Sequence, residues 1–327
     1  KADYRRAMRN NNNPNFAQAI RNNPTRSAYD ENSNTGYNIW LYEDLQFNTI
    51  AAVKLYDYYG LDQWLKPEVS AKLNILPVQG LSYTQTMGYE LRQWENQTYR
   101  WSTHQDEVSV NRNGTAYQGF SKTENINAEG YFNYMNSFDK HNINATLGYS
   151  YYERNSQGFN MTNYNFPVEA TALWDIGTGS YNKLGQASMA SSKDITQKLM
   201  SYFARVNYDY DGKYIVSASY RRESSSKFAK ENRWGNFWSV SAGWRISDEP
   251  WMENASWIDD LKIRGAYGVT GNSDFSSSYA SMSYGSDGYF MMPASGNYAI
   301  AYGPAVTLNP SLKWEEQLGW NFGLDFS

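Results

Sequence analysis

Few side chains in this sequence carry the functional groups used in catalysis or metal binding. The chain has no cysteine and only two histidines, His104 and His141, which fall in a predicted long loop and a predicted short turn, where we expect them to be solvated. Pairs of acidic residues occur at Asp248/Glu249, Asp259/Asp260 and Glu315/Glu316. Adjacent residues of a strand point to opposite faces, so such a pair cannot flank one glycosidic bond. We therefore expect no catalytic constellation, no metal site and no cofactor.

Two short motifs are similar to ligand-binding loops but do not meet their requirements. The segment Asp209-Tyr-Asp-Gly212 begins like a calcium loop, but its glycine is misplaced and Tyr220 stands where a bidentate Glu is expected. The segment Gly177-Thr-Gly179 neither follows a clear strand nor opens a helix, as a phosphate-binding loop does. We interpret the first motif as a tight turn and assign the second no phosphate.

The side chains best suited to binding are aromatic residues in two predicted loops. Flat aromatic faces bind sugar rings or peptide side chains by apolar contact, usually assisted by a few polar groups. We predict ligand or partner contact by Trp94, Tyr99, Trp101, Phe159 and Trp174. Packing of these rings within their own loops is the alternative, although long loops without regular structure are uncommon unless they are functional.

Composition excludes several classes of protein. The 327 residues carry 33 acidic and 29 basic side chains, for a net charge of -4, which argues against a nucleic-acid partner held by phosphate contacts. The lack of cysteine excludes disulfide frameworks and thiolate metal sites. Mean hydropathy is -0.74, and no apolar run approaches the roughly 20 residues of a membrane-spanning helix. The aromatic share of 17% in an Asn- and Ser-rich background favours two-faced β-strands.

Alternation of apolar and polar residues predicts an all-β, antiparallel, up-and-down fold. In residues 199–208 one face is apolar and the other polar, and the pattern resumes after the turn at 209–213, as in a hairpin whose successive side chains point to opposite sides. We expect nine strands, at about 68–76, 81–91, 124–135, 142–152, 199–208, 214–221, 238–246, 261–270 and 318–326.

The predicted connections are shorter at one end of the sheet than at the other. Each connection at one end is followed by a longer one at the other end: 77–80 by 93–123, 136–141 by 153–195, 209–213 by 223–235, and 247–260 by 271–312. Strands of about ten residues joined in this way are typical of transmembrane barrels with short periplasmic turns and long extracellular loops. A soluble β-sandwich, whose strands also alternate, is the alternative architecture.

The two strand faces carry different residue types. Aromatic residues near strand ends are predicted to form the membrane girdle, where an apolar ring with a polar tip is favoured; they are Tyr208, Tyr214, Trp238 and Trp244. Arginines on the opposite face are predicted to face a wet lumen, a pattern also compatible with the solvent face of a sandwich; they are Arg205, Arg221, Arg245 and Arg264. A membrane barrel must close, so nine strands would be only part of one.

Successive segments of the second half carry a specific resemblance. They are YFARVNYDYDGKY at 202–214, WGNFWSVSAGWRIS at 234–247, EPWM at 249–252, LKIRGAYGVTGN at 261–272 and NPSLKWE at 309–315. In order and spacing they resemble the SusC/RagA family of TonB-dependent outer-membrane transporters. The first half resembles the same family more weakly, in AIRNNPT at 19–25 and ILPVQGL at 75–81.

The resemblance implies an outer-membrane barrel of about 22 strands with a plug in its lumen. It further implies active import of oligosaccharides or peptides, a SusD-like surface lipoprotein as partner, TonB acting through the plug, and no enzymatic activity. We expect residues 1–65 to form an extracellular loop region and preceding barrel connection, and 66–327 to form part of the barrel. We expect the chain to be an internal barrel segment without the plug domain.

Two other classes of function are weighed against import. A secreted or surface β-rich carbohydrate-binding module would use the aromatic loops without a membrane, but it would not require girdle aromatics or connections of alternating length. A carbohydrate-active enzyme would need a convergent pair of carboxylates, which the sequence does not supply.

Overall fold

The computed structural model describes residues 2–9, 16–22, 25–38, 48–193, 197–253, 257–274, 284–291, 298–304, 309 and 311–327. Parts of the predicted 271–312, 247–260 and 153–195 connections lie outside these residues, as do Asn23, Pro24 and Pro310 of the family-like segments.

The described chain is dominated by β-strands. They are β1 (Ala2–Arg9), β2 (Tyr56–Asn74), β3 (Leu81–Arg100), β4 (Thr115–Phe138), β5 (His141–Tyr164), β6 (Ser188–Lys193), β7 (Gln197–Tyr210), β8 (Tyr214–Ser225), β9 (Trp234–Arg245), β10 (Leu261–Asn272), β11 (Tyr284–Met291), β12 (Tyr298–Pro304) and β13 (Glu315–Phe326). The helices are short: α1 (Phe16–Arg21), α2 (Thr49–Lys54), α3 (Gln105–Val108) and α4 (Glu169–Ala172).

Ten strands form one continuous sheet in the order β1-β2-β3-β4-β5-β7-β8-β9-β10-β13, with β6 added beside β5, while β11 and β12 form a separate pair. The pairing is antiparallel wherever its register is described, as in β7 with β8 and β10 with β13. Within the described part of the chain, β1 and β13 each have one partner strand, so the sheet is not closed. The predicted all-β, up-and-down fold is confirmed.

All nine predicted strands are present and all are longer than predicted, four of them, β2 to β5, by about twofold. Strands β4 and β5 each have 24 residues, and the predicted long connections shrink to residues 101–114 and 165–187. A backbone ladder does not depend on side-chain polarity, so a strand can continue with polar side chains on both faces after its apolar pattern ends. Strands β1, β6, β11 and β12 were not predicted, because they are short and lack alternation.

The chain forms two compact units. The first comprises Lys1–Pro67, Glu90–Glu124 and Asn155–Ile195, and the second comprises Glu68–Tyr89, Asn125–Arg154 and Thr196–Ser327.

The first unit has a small aromatic core. Tyr99, Ala116, Phe166 and Ala172 are fully buried, and the Tyr99 ring meets the Phe166 ring edge-on at a centroid distance of 5.6 Å. Burying one large apolar side chain stabilises a fold by about 1.5–3 kcal/mol. This core therefore holds the end of β3 against the connection that follows β5.

The second unit is a two-faced sheet in which strand register preserves the faces. Directly opposed residues in antiparallel strands share a face, and β7, β8 and β9 place Val206, Ala218 and Val240 in one such row. The row continues through Tyr267 to Trp320. Many large apolar side chains on this face are exposed, so the unit has a broad apolar surface.

The second unit also has a small buried cluster, in which Phe228, Phe237 and Trp314 pack against Val269 and Leu312.

Candidate functional site

A pocket in the first unit lies on the polar face of β1 to β4. Register places Ala7 opposite Asp62 and Arg9 opposite Gly60, which puts these positions of β2 on one face with their β1 neighbours. The pocket has a volume of about 340 Å³ and is lined by Ala7, Gly60, Asp62, Arg92, Trp94, Ser121 and Thr123. It therefore combines one large aromatic ring, one ion pair and two hydroxyl groups.

The charged groups in this pocket are paired with each other. Arg92 donates from Nε to Asp62 Oδ1 at 3.1 Å and from Nη2 to Asp62 Oδ2 at 2.8 Å, the two-pronged geometry that orients a guanidinium most firmly. Two residues after Asp62 on β2, Trp64 Nε1 donates a hydrogen bond to Glu90 Oε1 at 2.9 Å. Trp94 remains 40% exposed. The pocket offers a fixed polar wall beside an accessible indole ring, an arrangement suited to polar ring-shaped ligands.

The other predicted ligand-contacting aromatics have different environments, and several lie on strands rather than in loops. Trp94 and Tyr99 belong to β3, and Phe159 belongs to β5, where its exposed ring stacks on Phe120 at 5.6 Å. Trp101 is half-buried and donates from Nε1 to Asp57 Oδ2 at 2.8 Å. Trp174 is exposed, with its ring 5.3 Å from that of Tyr59.

The expectation of ligand contact does not suit Tyr99. Its side chain has no exposed surface and its hydroxyl donates to Glu169 Oε1 at 3.2 Å. Since a ligand cannot reach a fully buried ring, we assign Tyr99 to the packing alternative. The sequence pattern could not distinguish ligand contact from packing, because an aromatic residue on a strand shows the same alternation with its neighbours whether its ring is exposed or buried.

Residues 101–114 and 165–174 are joined by hydrogen bonds, and we name these two segments the loop clasp. Asn113 N donates to Asn165 Oδ1, and Phe166 N donates to Asn113 O, both at 2.7 Å. Glu169 Oε1 also accepts a bond from Ser102 N at 2.7 Å. Main-chain groups in each loop are thus satisfied by the other loop.

The clasp contains a buried carboxylate that sequence reasoning missed. Glu107 is fully buried, and its oxygens accept hydrogen bonds from Arg100 at 3.3 Å, Arg112 at 3.4 Å and Thr115 at 2.8 Å. The signal available in the sequence is its position three residues after the N-cap of α3, where Glu is favoured. Its partners come from the end of β3, the connection after α3 and the start of β4, and only folding brings them together.

His104 caps α3, and the expectation that it is solvated is wrong. Its side chain is buried, and Nδ1 accepts a hydrogen bond from Asp106 N at 3.2 Å. Burial lowers the pKa of His104 below its ordinary value, and Arg100 acts in the same direction against the attraction of Asp106. The neutral ring is the form that can accept this bond. His141, at the start of β5, lies 2.7 Å from Tyr208 Oη through Nδ1.

The four arginines predicted to face the lumen lie on the polar face of the second unit. Arg205 is opposite Thr146 and Ser219. The other three have acidic neighbours: Arg221 with Glu223 at 2.8 Å, Arg245 with Asp260 at 3.3 Å and Asp248 at 3.7 Å, and Arg264 with Asp325 at 3.3 Å. The lumenal role of these arginines stays a prediction.

The four predicted girdle aromatics lie on the apolar face. Tyr214 is opposite Tyr210 and Trp244, Tyr208 is opposite Val216, and Trp238 is opposite Tyr220. Glu249, which follows β9, accepts hydrogen bonds through one oxygen from Tyr214 Oη at 2.6 Å and Trp244 Nε1 at 2.9 Å. A carboxylate therefore fixes two of the predicted girdle rings.

The short motifs behave as structural elements. Asp209 Oδ1 accepts a bond from Gly212 N at 3.2 Å, which closes the predicted turn, and residues 176–178 form a 3₁₀ turn. No group of three or more potential metal-ligating side chains occurs among the described residues. None of the described helices is long and apolar enough to cross a membrane.

Comparison with known families and proteins gives consistent matches. The TonB dependent receptor-like β-barrel family model matches residues 2–327. TonB-dependent receptor P39 of Formosa agariphila is 30% identical over 259 residues, covering 76% of this chain and 23% of that protein. TonB-dependent receptor SusC of Bacteroides thetaiotaomicron is 35% identical over 130 residues, covering 39% of this chain and 13% of SusC. The chain thus spans less than a quarter of these relatives.

A solved structure shares the fold. The RagAB peptide transporter superposes with a TM-score of 0.73 at 21% identity, covering 87% of this chain and 30% of the matched chain. The RagAB peptide importer in its open-open state gives a TM-score of 0.71 at 22% identity.

Proposed function

Because this chain belongs to the TonB-dependent receptor-like β-barrel family, whose members are outer-membrane transporters and not enzymes, we propose that it forms part of the barrel of an active nutrient importer. The cargo is an oligosaccharide or a peptide. Residues 66–327 contribute barrel wall. Residues 1–65 contribute an extracellular loop region and preceding barrel connection, in which β1 and the beginning of β2 continue the sheet.

The apolar face of the second unit is the observation that carries the membrane location. On β7 this face extends from Met200 to Tyr210, about ten residue steps. At about 3.3 Å per residue and a strand tilt of about 40°, that length covers roughly 25 Å along the membrane normal, the height of a barrel's apolar band. A soluble carbohydrate-binding module would leave this whole surface in water, which is unfavourable.

The pocket around Trp94 supports a role in cargo contact. Arg92 and Asp62 neutralise each other, so a charged ligand gains little there. A neutral sugar ring can stack on Trp94 and form hydrogen bonds with Ser121 and Thr123. We favour an oligosaccharide for this pocket. Trp101, Phe159 and Trp174 are secondary candidates for contact with cargo or partner.

A SusD-like lipoprotein and TonB are the partners that we propose. The partner lipoprotein covers the barrel as a lid and delivers cargo. TonB acts through the plug domain expected of this family. The loop clasp supports contact with a partner, because its hydrogen bonds hold the exposed Val168 and Trp174 in place.

Deletion of the intact gene tests import itself. Uptake of at least one oligosaccharide or peptide should be lost, and uptake restored by a plasmid copy. Unchanged uptake of every candidate cargo would refute the proposal of nutrient import.

Replacing one tryptophan tests the pocket. Trp94→Ala in the full-length protein should weaken oligosaccharide affinity about fivefold or more, if a sugar ring gains from stacking what a nucleic-acid base gains on one aromatic ring, about 1–3 kcal/mol. Trp238→Ala is the matched control, since this ring is also 40% exposed but lies on the apolar face of its own unit. Equal affinity for the two variants would exclude the pocket, while the import proposal would still stand on the uptake result.

A further inference from the structure

The connection between β9 and β10 carries two highly exposed tryptophans with no role in the proposed transport path. Trp251 is 63% exposed and Trp257 is 74% exposed. Large exposed aromatic rings are uncommon in water-facing turns and typical of membrane–water interfaces, where an apolar ring meets a polar N–H group.

This connection is held in place from both faces of the sheet. On the apolar side, Glu249 Oε1 accepts bonds from Tyr214 and Trp244, and Met252 N donates to Glu249 O at 2.8 Å. On the polar side, Arg245 contacts Asp248 and Asp260, at the two ends of the connection. The described residues 246–253 and 257–260, which we name the interfacial turn, therefore have a defined position relative to the strand ends.

The interfacial turn is continuous with the apolar face. The Trp257 ring lies 6.5 Å from that of Phe326, whose strand position is opposite Leu261. Glu249 contacts Tyr214 and Trp244, which form the last aromatic row at this end of the face. Trp257 thus extends the apolar surface beyond the ends of the strands, and the exposed Trp251 lies in the same turn, two residues after Glu249.

We propose that the interfacial turn is a lipid-binding anchor, in which Trp251 and Trp257 insert into the headgroup zone of the phospholipid leaflet and Glu249 is the positioning residue. The inference rests on the proposed membrane location. Residues 246–260 carry five acidic side chains and no basic one, and Arg245 contacts two of the five, Asp248 and Asp260. Binding therefore depends on the indole rings and gains nothing from anionic lipid.

In this anchor the apolar and polar parts of each indole ring contact different layers of the membrane. Each indole places its apolar body among the glycerol and upper acyl groups, while its N–H group stays within reach of carbonyl and phosphate oxygens. Glu249 keeps Tyr214 and Trp244 at the same depth, because one oxygen accepts from both side chains. The strand ends are thereby locked at a fixed height.

Depth measurements on the full-length protein in phosphatidylcholine vesicles test the anchor. The 327 residues contain no cysteine, so Trp251→Cys and Trp257→Cys each add one thiol to them for a nitroxide label, after replacement of any cysteine elsewhere in the protein. Phe322→Cys, on the apolar face, is the lipid control, and Glu231→Cys, in the exposed 3₁₀ turn after β8, is the water control. The ratio of oxygen to nickel-chelate accessibility reports depth.

We expect both tryptophan positions to give ratios between those of the two controls, with no greater depth when anionic lipid is added. Ratios equal to the Glu231 label would overturn the anchor, and so would low accessibility to both reagents, which would mean that protein covers the turn. If the Phe322 label also behaved as the water control, the membrane location itself would fail, so the two failures are distinguishable.

Two further variants keep the test independent of labelling. Brominated phosphatidylcholine should quench the wild-type tryptophan emission more than that of Trp251→Phe/Trp257→Phe, and equal quenching would contradict insertion. Glu249→Ala should shift the Trp251 label toward the water control, whereas Glu249→Gln, which retains the accepting oxygen, should restore its depth. No shift with Glu249→Ala would remove Glu249 from the anchor.

Discussion

The buried carboxylate of Glu107 should control the stability of the loop clasp. Glu107→Gln removes the charge that faces Arg100 and Arg112 while preserving side-chain size. Breaking a buried ion pair costs about 3–5 kcal/mol because the remaining charge is left without a partner. The two arginines stay 31% and 26% exposed, so water can partly solvate them and the lower value, about 3 kcal/mol, applies.

Such a loss should appear as local opening of α3. Since each 1.4 kcal/mol corresponds to about tenfold in an equilibrium constant, we expect hydrogen exchange in residues 104–112 to accelerate roughly 100-fold. The reporting amides are those of Ser109, which donates to Gln105 O at 2.9 Å, and Arg112, which donates to Glu107 O at 3.0 Å. Exchange measured by mass spectrometry on the full-length protein in lipid nanodiscs gives the rates.

The neighbouring acid provides the control for this measurement. Asp106 is also near Arg100, at 3.4 Å, but its side chain is 37% exposed, and exposed ion pairs contribute about 0–1 kcal/mol. Asp106→Asn should therefore accelerate exchange by less than about fivefold. If the Asp106 and Glu107 variants changed exchange equally, burial of Glu107 would not be the cause and the reasoning would be refuted.

Three other predictions concern a turn, a histidine and a core. Gly80→Ala should abolish the shift in gel mobility between unboiled and boiled samples that marks a folded barrel, because Gly80 has φ +82° and an added Cβ would meet Met135 O at 1.9 Å. Gly36→Ala, at φ +76° with nothing within 4 Å of the added Cβ, should cost only about 1 kcal/mol and keep the mobility shift. Because burial lowers the pKa of His104 while Asp106 and Arg100 act in opposite directions, the unfolded clasp binds more protons below about pH 6.5, so its stability is present above that pH and is lost as pH falls. Exchange in residues 104–112 should then be faster at pH 5 than at pH 7.5 after correction for intrinsic rates, and His104→Asn, which retains a capping oxygen, should remove the difference; an unchanged difference would contradict the assignment. Trp314→Ala should destabilise the second unit by about 3–5 kcal/mol, since the ring packs on Phe228 and Phe237 and Nε1 donates to Arg233 O at 2.8 Å; urea unfolding in detergent measures it, and a loss under 1 kcal/mol would mean that this cluster does not support the unit.

The sequence could predict most of the sheet because strand alternation is a local property. Side chains two residues apart share a face whatever the rest of the chain does, so the nine strands and the face of each girdle aromatic follow from residue order alone. The candidate site could be predicted from the sequence only in part. Its residue type marks Trp94 as a candidate for ligand contact, but the ion-paired neighbours Arg92 and Asp62 come from different strands.

By itself, the sequence determined the all-β fold, the two faces of the strands, the order of hairpins from β7 to β10 and the resemblance to a transporter family. Only the tertiary structure decided which aromatic rings are buried, where the strands end and how carboxylates are used. Tyr99 and Trp94 occupy the same strand, yet one is in a core and the other lines a pocket. Glu107 and Glu249 gain their roles from partners on other elements. Burial and hydrogen bonding depend on segments far apart in the chain, and no local pattern contains that information.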